Sequence, residues 1–291
     1  MTSMSLQNKG AIVTGGGSGI NHQFTKYLLG QGCKVLIADI GIHRDASQWV
    51  QDVTTGKDAT AAFLKVDVTD WAALEGMFEF FVERFGQEPD IVVLGAGVYE
   101  ASTAGFWNDA DEASHYKLFD INLSHPIKAT RIAIRRLRRA QKPGVILHLS
   151  SIAAQKPTVV LPLYSVSKLA ISQFVRCMAP LEDMCGIRVV AVAPGVVDTP
   201  LFRDSESAKS HIDMDKDFVL PPSEVVKAMA ALVSERTYPS GTVLEVGDIG
   251  GWRPVSLLND PGPQGRSTKN RPKAQAAIQI VKDHLEKDAQ S

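Results

Sequence analysis

The sequence lacks the features that mark secreted proteins, membrane-spanning proteins and proteins stabilised by a structural metal ion. It has three cysteines among 291 residues, Cys33, Cys177 and Cys185, and their spacing is not that of a metal site. We interpret them as buried free thiols in a reducing compartment. No apolar run reaches the ~18 residues that a membrane-spanning helix needs, and residues 1–9 lack the basic and apolar regions of a signal peptide. We therefore expect a cytoplasmic protein without a membrane span.

Neither sign of charge is in excess. The chain has 31 Lys and Arg against 32 Asp and Glu, for a net charge of -1, which gives no electrostatic case for binding nucleic acid or a membrane surface. Five arginines do cluster between Arg131 and Arg139. We interpret them as the solvated face of a helix rather than as a phosphate site.

Short apolar runs alternate with helical patterns along most of the chain. The predicted strands are residues 10–14, 34–38, 61–66, 91–94, 145–149, 188–193 and 242–246, and the main predicted helices are residues 22–29, 71–85, 116–140 and 164–184. This alternation predicts an α/β fold, a single Rossmann-type doubly wound parallel sheet of about seven strands with helices on both faces. In such sheets ligands bind at the carboxyl ends of the strands.

A glycine-rich segment lies between the first predicted strand and a helix, where Gly15, Gly17 and Gly19 surround Ser18. Glycines in that context let the backbone approach a pyrophosphate at the helix N-terminus. Asp39 ends the second strand, where a carboxylate binds ribose hydroxyls and repels a 2′-phosphate. We therefore predict NAD as the preferred cofactor, with NADP left open. A plain turn and a surface aspartate are the alternative.

Tyr164 and Lys168 are four residues apart in a predicted helix, so they share one face. A protonated lysine beside a phenol favours the phenolate and lowers the tyrosine pKa, and such a tyrosine can act as a general base. Ser151 ends the fifth predicted strand, and Asn122 lies in the long helix before it. The alternative is a chance helix-surface pair, a turn serine and a helix-interior asparagine.

Together these residues resemble the short-chain dehydrogenase/reductase family over residues 6–251. The TGxxxGxG loop of the family matches Thr14 to Asn21, and its Asn-Ala-Gly segment matches Gly95 to Gly97. The catalytic tetrad implied by the resemblance is Asn122, Ser151, Tyr164 and Lys168. The implied cofactor-binding residues are Gly15, Gly17, Ser18, Gly19, Ile20, Asp39, Asp67, Val68, Gly97, Tyr164, Lys168, Pro194, Val197 and Thr199. No metal is implied.

The resemblance implies hydride transfer between a nicotinamide cofactor and a secondary alcohol or ketone. In that mechanism Tyr164 takes the hydroxyl proton, Lys168 lowers the Tyr164 pKa and holds the nicotinamide ribose, and Ser151 binds the substrate oxygen. Asn122 holds a water that links Lys168 to solvent. A homodimer or homotetramer is implied as well. Two alternatives stay open: a non-catalytic NAD-binding sensor or scaffold, and an isomerase or dehydratase that uses the same tetrad.

Two positions depart from the family pattern. Asn21 stands where the loop has its third glycine, and Gly95 stands where the Asn-Ala-Gly segment has its asparagine. We expect the Asn21 side chain to push the helix outward slightly and to weaken cofactor binding or alter its preference.

The predicted substrate pocket is apolar. Its lining would come from Val98, Tyr99, Phe106, Trp107, Val159, Val160 and Leu161, and from Leu201, Phe202, Ile212, Met214 and Phe218 in a lid. We therefore predict a bulky hydrophobic alcohol or ketone that is steroid-, terpenoid- or polyketide-like. The chain is similar to hydroxyprostaglandin dehydrogenase-like and fungal secondary-metabolism members of the family.

We predict a catalytic domain over residues 1–252 and a C-terminal extension over residues 253–291. The extension begins with an irregular Pro- and Gly-containing linker. An amphipathic helix over residues 273–287 follows, with Ala274, Ala277, Ile278, Val281 and Leu285 on one stripe. That stripe could dock on its own subunit, cover a neighbour's active site, or lie free.

Overall fold

Eight strands form one sheet in the computed structural model, which describes residues 4–56, 59–100, 105–108, 115–156, 158–209, 212–256 and 274–290. The strands are β1 Gly10–Thr14, β2 Lys34–Asp39, β3 Ala61–Lys65, β4 Ile91–Leu94, β5 Gly144–Leu149, β6 Ile187–Pro194, β7 Val243–Asp248 and β8 Gly251–Pro254. Their order is β3-β2-β1-β4-β5-β6-β7-β8, and all pairs are parallel except the last. The predicted doubly wound α/β fold is confirmed.

The eighth strand is the difference from the seven that were predicted. β8 turns back at Gly250, whose φ of +79° suits glycine, and pairs antiparallel with β7. Its residues are mostly exposed, so it lacks the apolar signal that marks the buried strands. The predicted domain boundary at residue 252 falls within β8.

Helices cover both faces of the sheet. They are α1 Gly19–Gly30, α2 Arg44–Thr54, α3 Trp71–Phe85, α4 Lys117–Phe119, α5 His125–Arg139, α6 Pro162–Cys177, α7 Leu181–Cys185, α8 Pro200–Arg203, α9 Glu206–Lys209, α10 Pro222–Ser234 and α11 Ala274–Gln290. The long helical stretch predicted over residues 116–140 is helical over residues 117–139, but a π-helical turn over Asp120–Ser124 lies between α4 and α5. The helix predicted over residues 164–184 is likewise divided into α6 and α7.

Strand side chains alternate between two apolar layers, as the pleat requires. Ile12 packs in the layer that contains Phe78 of α3, whereas Val13 packs in the layer that contains Phe24 of α1. The connections from β1 and from β4 run to opposite edges of the sheet, so a crevice opens between the ends of these two strands. The functional residues predicted from sequence converge on this crevice.

The C-terminal helix docks on its own chain, which is the first of the three predicted alternatives. Arg131 of α5 donates to both carboxylate oxygens of Asp288 at 2.6 and 2.9 Å, and Leu285 of α11 is buried. Residues 257–273 of the predicted linker, and the side chains of the other four stripe residues, lie outside the described part. Within the described ranges, none of the helices has the length and apolar character that a membrane crossing needs.

The prediction of three buried cysteines is correct only for Cys33. Cys177 is exposed and Cys185 is half-buried, and all three are free thiols.

The arginine cluster on α5 lies at the protein surface, where Arg131 and Arg139 are exposed, but it is also ion-paired, which was not predicted. Besides Arg131, Arg135 bonds Glu75 of α3, and Arg136 bonds Glu88 beyond it at 2.8 Å. Acidic partners on neighbouring segments hold these guanidinium groups, so the cluster joins α5 to α3 and α11. The sequence pattern of α5 alone did not reveal those partners.

Candidate active site

Two adjoining cavities lie at the carboxyl edge of the sheet, with volumes of about 270 and 70 Å³. Nine predicted cofactor-binding residues line the larger one: Gly15, Ser18, Gly19, Ile20, Asp39, Asp67, Val68, Gly97 and Thr199. The smaller one is lined by Ser151, Tyr164, Lys168, Pro194 and Val197, and it shares Ile20, Gly97 and Thr199 with the larger. The structure thus brings together all the predicted site residues except Gly17 and Asn122, which lie directly behind the lining.

The glycine loop forms a cradle that side chains would fill. Gly15 and Gly19 have φ values of +71° and +56°, in the left-handed region that favours glycine. A Cβ atom on Gly15 would lie 2.7 Å from Cα of Ala96, and one on Gly17 would lie 2.9 Å from Oδ2 of Asp39. The side chain of Ser18 does not cap α1, so the first N–H groups of the helix face the crevice. This cradle fits a pyrophosphate.

Asp39 holds this loop in place. Its Oδ2 accepts a hydrogen bond from the Gly17 N–H at 2.8 Å, and its Oδ1 accepts one from the Gly41 N–H at 3.3 Å. Burial raises the pKa of the Asp39 carboxyl, while these N–H donors act in the opposite direction. The carboxylate therefore both fixes the loop and faces the larger cavity.

Tyr164 and Lys168 lie on one face of α6, as their spacing predicts. Nζ of Lys168 is 5.5 Å from the centroid of the Tyr164 ring and donates to the carbonyl of Leu149 at 3.0 Å. Both side chains are buried, at 6 and 7 % exposure. Burial lowers the pKa of Lys168 to about 8, which leaves its ammonium mostly protonated at neutral pH.

The Tyr164 pKa does not follow the sequence-based prediction. Burial raises it to about 12, because the phenolate is desolvated, and a hydrogen bond with Ser151 acts to lower it. The prediction that Lys168 lowers this pKa is therefore wrong for this structure. The group that favours the phenolate here is the Ser151 hydroxyl.

Two adjacent serines directly follow β5, and their surroundings separate their roles. Oγ of Ser150 donates to the carbonyl of Lys168 at 3.0 Å and lies 2.6 Å from Oγ of Ser172, so it is occupied within α6. Oγ of Ser151 accepts from the Ala153 N–H at 3.2 Å and donates to the Pro194 carbonyl at 3.4 Å, and it also bonds Tyr164. The contact with Tyr164 favours Ser151 as the serine of the tetrad implied by the resemblance.

Asn122 lies in the π-helical turn, a feature that is frequent at functional sites. Its Oδ1 accepts from the Val98 N–H and its Nδ2 donates to the Val98 carbonyl, both at 2.9 Å. A Cβ atom on Gly97 would lie 3.3 Å from the same Oδ1. Asn122 thus holds the segment after β4 against α5, immediately behind the cavity.

Glu100 is a site residue that sequence reasoning missed. It is 4 % exposed, and its Oε2 accepts a hydrogen bond from the backbone N–H of Tyr164 at 3.0 Å. Its Oε1 accepts one from the Phe106 N–H at 3.2 Å. Leu161 at the start of α6 has no side chain that could cap the helix, so Glu100 supplies the cap from 64 residues away. No local sequence signal marks such a distant pair.

The predicted substrate-lining residues fall into two groups, an apolar cluster that includes Tyr164 and a set of exposed side chains. Val98, Tyr99, Leu161, Phe202 and Ile212 pack in one apolar cluster with Tyr164, and the Tyr99 ring lies 5.0 Å from that of Tyr164. In contrast, Phe106, Trp107, Val159, Val160 and Phe218 are exposed by 48 to 70 %. Residues 101–104, within one predicted lining segment, lie outside the described part.

The fold and this crevice define the class of the molecule, a dinucleotide-binding α/β protein with a tyrosine–lysine pair beside the cofactor crevice. The family model for short chain dehydrogenases matches residues 9–210. The chain belongs to the short-chain dehydrogenase family. Among the described residues, no three His, Cys, Asp or Glu side chains are grouped so that they could hold a metal ion.

Individual relatives agree with this assignment. The chain is 33% identical to galactitol 2-dehydrogenase of Agrobacterium fabrum over 67% of its length and 73% of that protein. It is 27% identical to human 15-hydroxyprostaglandin dehydrogenase [NAD(+)], over 84% of this chain and 92% of that one. A 3-ketoacyl-(acyl-carrier-protein) reductase from Brucella melitensis, solved with NADH, superposes with a TM-score of 0.69 at 26% identity, covering 84% and 98% of the two chains. These matches support a dehydrogenase or reductase role with a nicotinamide cofactor.

Proposed function

We propose that this chain is an NAD-dependent oxidoreductase that interconverts a secondary alcohol and a ketone. The observation that carries the proposal is the position of Ser151, Tyr164 and Lys168 around a small cavity. That cavity opens into a crevice with a pyrophosphate cradle. When bound, the nicotinamide cofactor supplies the hydride donor or acceptor.

Tyr164 exchanges the proton with the substrate oxygen. In the reduction direction its phenol donates the proton, and in the oxidation direction its phenolate accepts it. The Ser151 hydroxyl, which already bonds Tyr164, donates to the substrate oxygen and stabilises the charge that develops there. Lys168 places a positive charge 5.5 Å from the Tyr164 ring centroid and would hold the nicotinamide ribose of a bound cofactor. Asn122 keeps the wall behind Gly97 in position through its two bonds to Val98.

The preference for NAD rests on Asp39. Its carboxylate lines the cavity at the end of β2. A carboxylate there accepts hydrogen bonds from the ribose hydroxyls of NAD and repels the 2′-phosphate of NADP. The nearest following cation, Arg44, lies within 3.7 Å of Asp45. Two similar proteins, the human 15-hydroxyprostaglandin dehydrogenase [NAD(+)] and the Brucella melitensis reductase solved with NADH, agree with this preference.

The substrate is a hydrophobic secondary alcohol or ketone. The side chains that cluster with Tyr164 are aromatic or aliphatic. The cavity beside Tyr164 measures about 70 Å³, so a bulky substrate requires Tyr99 and Phe202, whose rings lie 5.4 Å apart, to move aside. Faster turnover of galactitol than of hydrophobic alcohols would refute this part of the proposal.

Assembly into a homodimer or homotetramer is part of the proposal. α6 presents Val166 and Leu169 to solvent at 54 and 46 % exposure, and apolar side chains on one helix face suit pairing with a second copy. Sedimentation of the purified protein tests this, and a monomer at micromolar concentration would contradict it.

The test of the reaction is a titration with NAD, NADH, NADP and NADPH, read by nicotinamide fluorescence, followed by turnover of hydrophobic alcohols and ketones. Tyr164→Phe is expected to abolish turnover and to leave NADH binding nearly intact, because it removes only the proton donor. Tyr27→Phe is the matched control, since Tyr27 stacks on Phe24 in α1 and lines neither cavity. Full activity of Tyr164→Phe would refute the mechanism.

A further inference from the structure

The two residues that depart from the family pattern touch each other. Asn21 is the third residue of α1, and Gly95 directly follows β4. A Cβ atom built on Gly95 would lie 2.5 Å from Cγ of Asn21 and would overlap both terminal atoms of its carboxamide. The Asn21 side chain therefore fills the volume that a side chain at position 95 would need.

The same carboxamide also lies against the glycine loop. A Cβ atom on Gly15 would lie 3.1 Å from Nδ2 of Asn21, and Asn21 is only 6 % exposed while lining the larger cavity. It is wedged between the loop after β1 and the segment after β4. These two segments border the cofactor crevice, so Asn21 sets the distance between its walls.

No hydrogen bond from a described residue to the carboxamide oxygen accounts for the position of this side chain. Within the described part of the chain, the buried Oδ1 of Asn21 has no hydrogen-bond partner, although buried acceptors are nearly always satisfied. The neighbouring N–H groups of Gly95 and Ala96 already donate to Oγ1 of Thr14, at 3.0 and 3.3 Å. What the carboxamide contributes is its volume and its position.

We propose that Asn21 and Gly95 act as one coupled unit that positions the two walls of the cofactor crevice. Each departure is tolerated because of the other: the asparagine on α1 replaces the side chain that is missing at position 95. Asn21 is thus a positioning residue that keeps the crevice closed around the dinucleotide. The inference rests on the proposed function for its effect on NADH binding, but the packing that it invokes is present without a ligand.

A double-mutant cycle tests this coupling. Gly95→Asn alone forces two side chains into one space, so NADH affinity should fall by roughly 30-fold or more, with a lower Tm, within the range of coupling energies for contacting residues. Asn21→Gly alone leaves the volume empty and should weaken NADH binding by about fivefold, raising the KM for NAD more than it lowers kcat. The double variant Asn21→Gly/Gly95→Asn should return the NADH Kd to within about threefold of the original value.

Gly10→Ala is the matched control. A Cβ atom on Gly10 would lie 2.7 Å from the Phe81 ring, so that variant is also overpacked, but away from Asn21. Adding Asn21→Gly should not rescue it. Failure of Gly95→Asn to fold, together with a folded double variant, is an expected result.

Thermal unfolding of the same variants separates the proposed coupling of Asn21 and Gly95 from the proposed function. If the unmodified protein binds no NADH, the proposed function fails, and the Tm values of the cycle still decide whether the pair is coupled. If the unmodified protein binds NADH but the double variant is as impaired as Gly95→Asn, or fails to fold, the coupling is refuted.

Discussion

Replacing Asp39 with asparagine should reduce the preference for NAD over NADP. Asparagine keeps a carbonyl oxygen for the Gly17 N–H, which Asp39 accepts at 2.8 Å, but it removes the negative charge. Asp39→Ala would instead release the whole loop and confound the measurement. Asp39→Asn therefore isolates the electrostatic part of cofactor choice.

The size of the effect follows from Coulomb's law. Two unit charges ~4 Å apart at an effective dielectric constant of ~20 repel by about 4 kcal/mol. Asp39 is half-buried in an open crevice, so solvent screening leaves about 2 kcal/mol, or roughly 30-fold in affinity. The ratio of kcat/KM for NAD to that for NADP should therefore fall by about 30-fold in Asp39→Asn.

The assay is initial-rate kinetics with both cofactors on one substrate. Asp67→Asn is the control, because Asp67 lines the same cavity but accepts hydrogen bonds from its own loop at Thr69, and its ratio should change little. Burial raises the Asp39 pKa, so the discrimination should also weaken as pH falls toward the acidic range. A ratio unchanged by Asp39→Asn, or an unmodified enzyme that prefers NADP, would refute this reasoning.

Three further perturbations test other parts of the structure. Glu100→Ala removes the acceptor of the Tyr164 N–H and should lower kcat by about tenfold or more, since such bonds contribute ~1.5–3 kcal/mol. NADH binding should be unchanged, and Glu100→Gln should have an intermediate kcat. A changed Kd for NADH would contradict a role at α6. Asp288→Ala removes the two hydrogen bonds from Arg131, so limited proteolysis should cleave residues 274–290 faster, and NADH binding should not change. Equal cleavage rates for the variant and the unmodified protein would show that this ion pair does not hold α11. Burial lowers the pKa of His125 to about 4 and that of His148 to about 3. Below pH ~6.5 the unfolded chain therefore binds more protons than the folded protein. As the pH is lowered, the free energy of unfolding should decrease by ~1.4 kcal/mol per pH unit for each histidine. Urea unfolding between pH 7 and 5 measures that slope, and a flat profile would show that these imidazoles titrate normally.

The features that were predictable from sequence are those encoded locally. The glycine loop lies between a strand and a helix within a dozen residues, and the Tyr164–Lys168 spacing fixes a shared helix face wherever the helix lies. Asp39 ends an apolar strand, so its position at the sheet edge follows from the fold class. These residues needed no knowledge of tertiary packing.

The features that were missed depend on pairs far apart in sequence. Nothing near Glu100 indicates that it caps α6, and nothing near Asn21 indicates that Gly95 leaves room for it. α2 was missed because it is largely polar and buries only Ala46 and Val50. α10 carried a readable signal, a proline at the first helical position followed by an apolar stripe, which favours a helix start.

The pKa of Tyr164 shows why an electrostatic role cannot be derived from spacing alone. The spacing correctly places a cation near the ring, but the phenol is surrounded by Tyr99 and other apolar side chains, and desolvation raises its pKa by more than the Ser151 hydrogen bond lowers it. With a pKa of about 12, Tyr164 is a neutral phenol at neutral pH, which is the form that donates a proton to a ketone oxygen in the proposed reaction. Oxidation needs the phenolate and therefore additional positive charge, which an oxidised nicotinamide carries and a reduced one lacks. In the proposed reaction, the neutral phenol acts with NADH in reduction, and the phenolate acts with NAD in oxidation. The protonation state of Tyr164 that each direction needs is therefore the one that the charge of its cofactor favours.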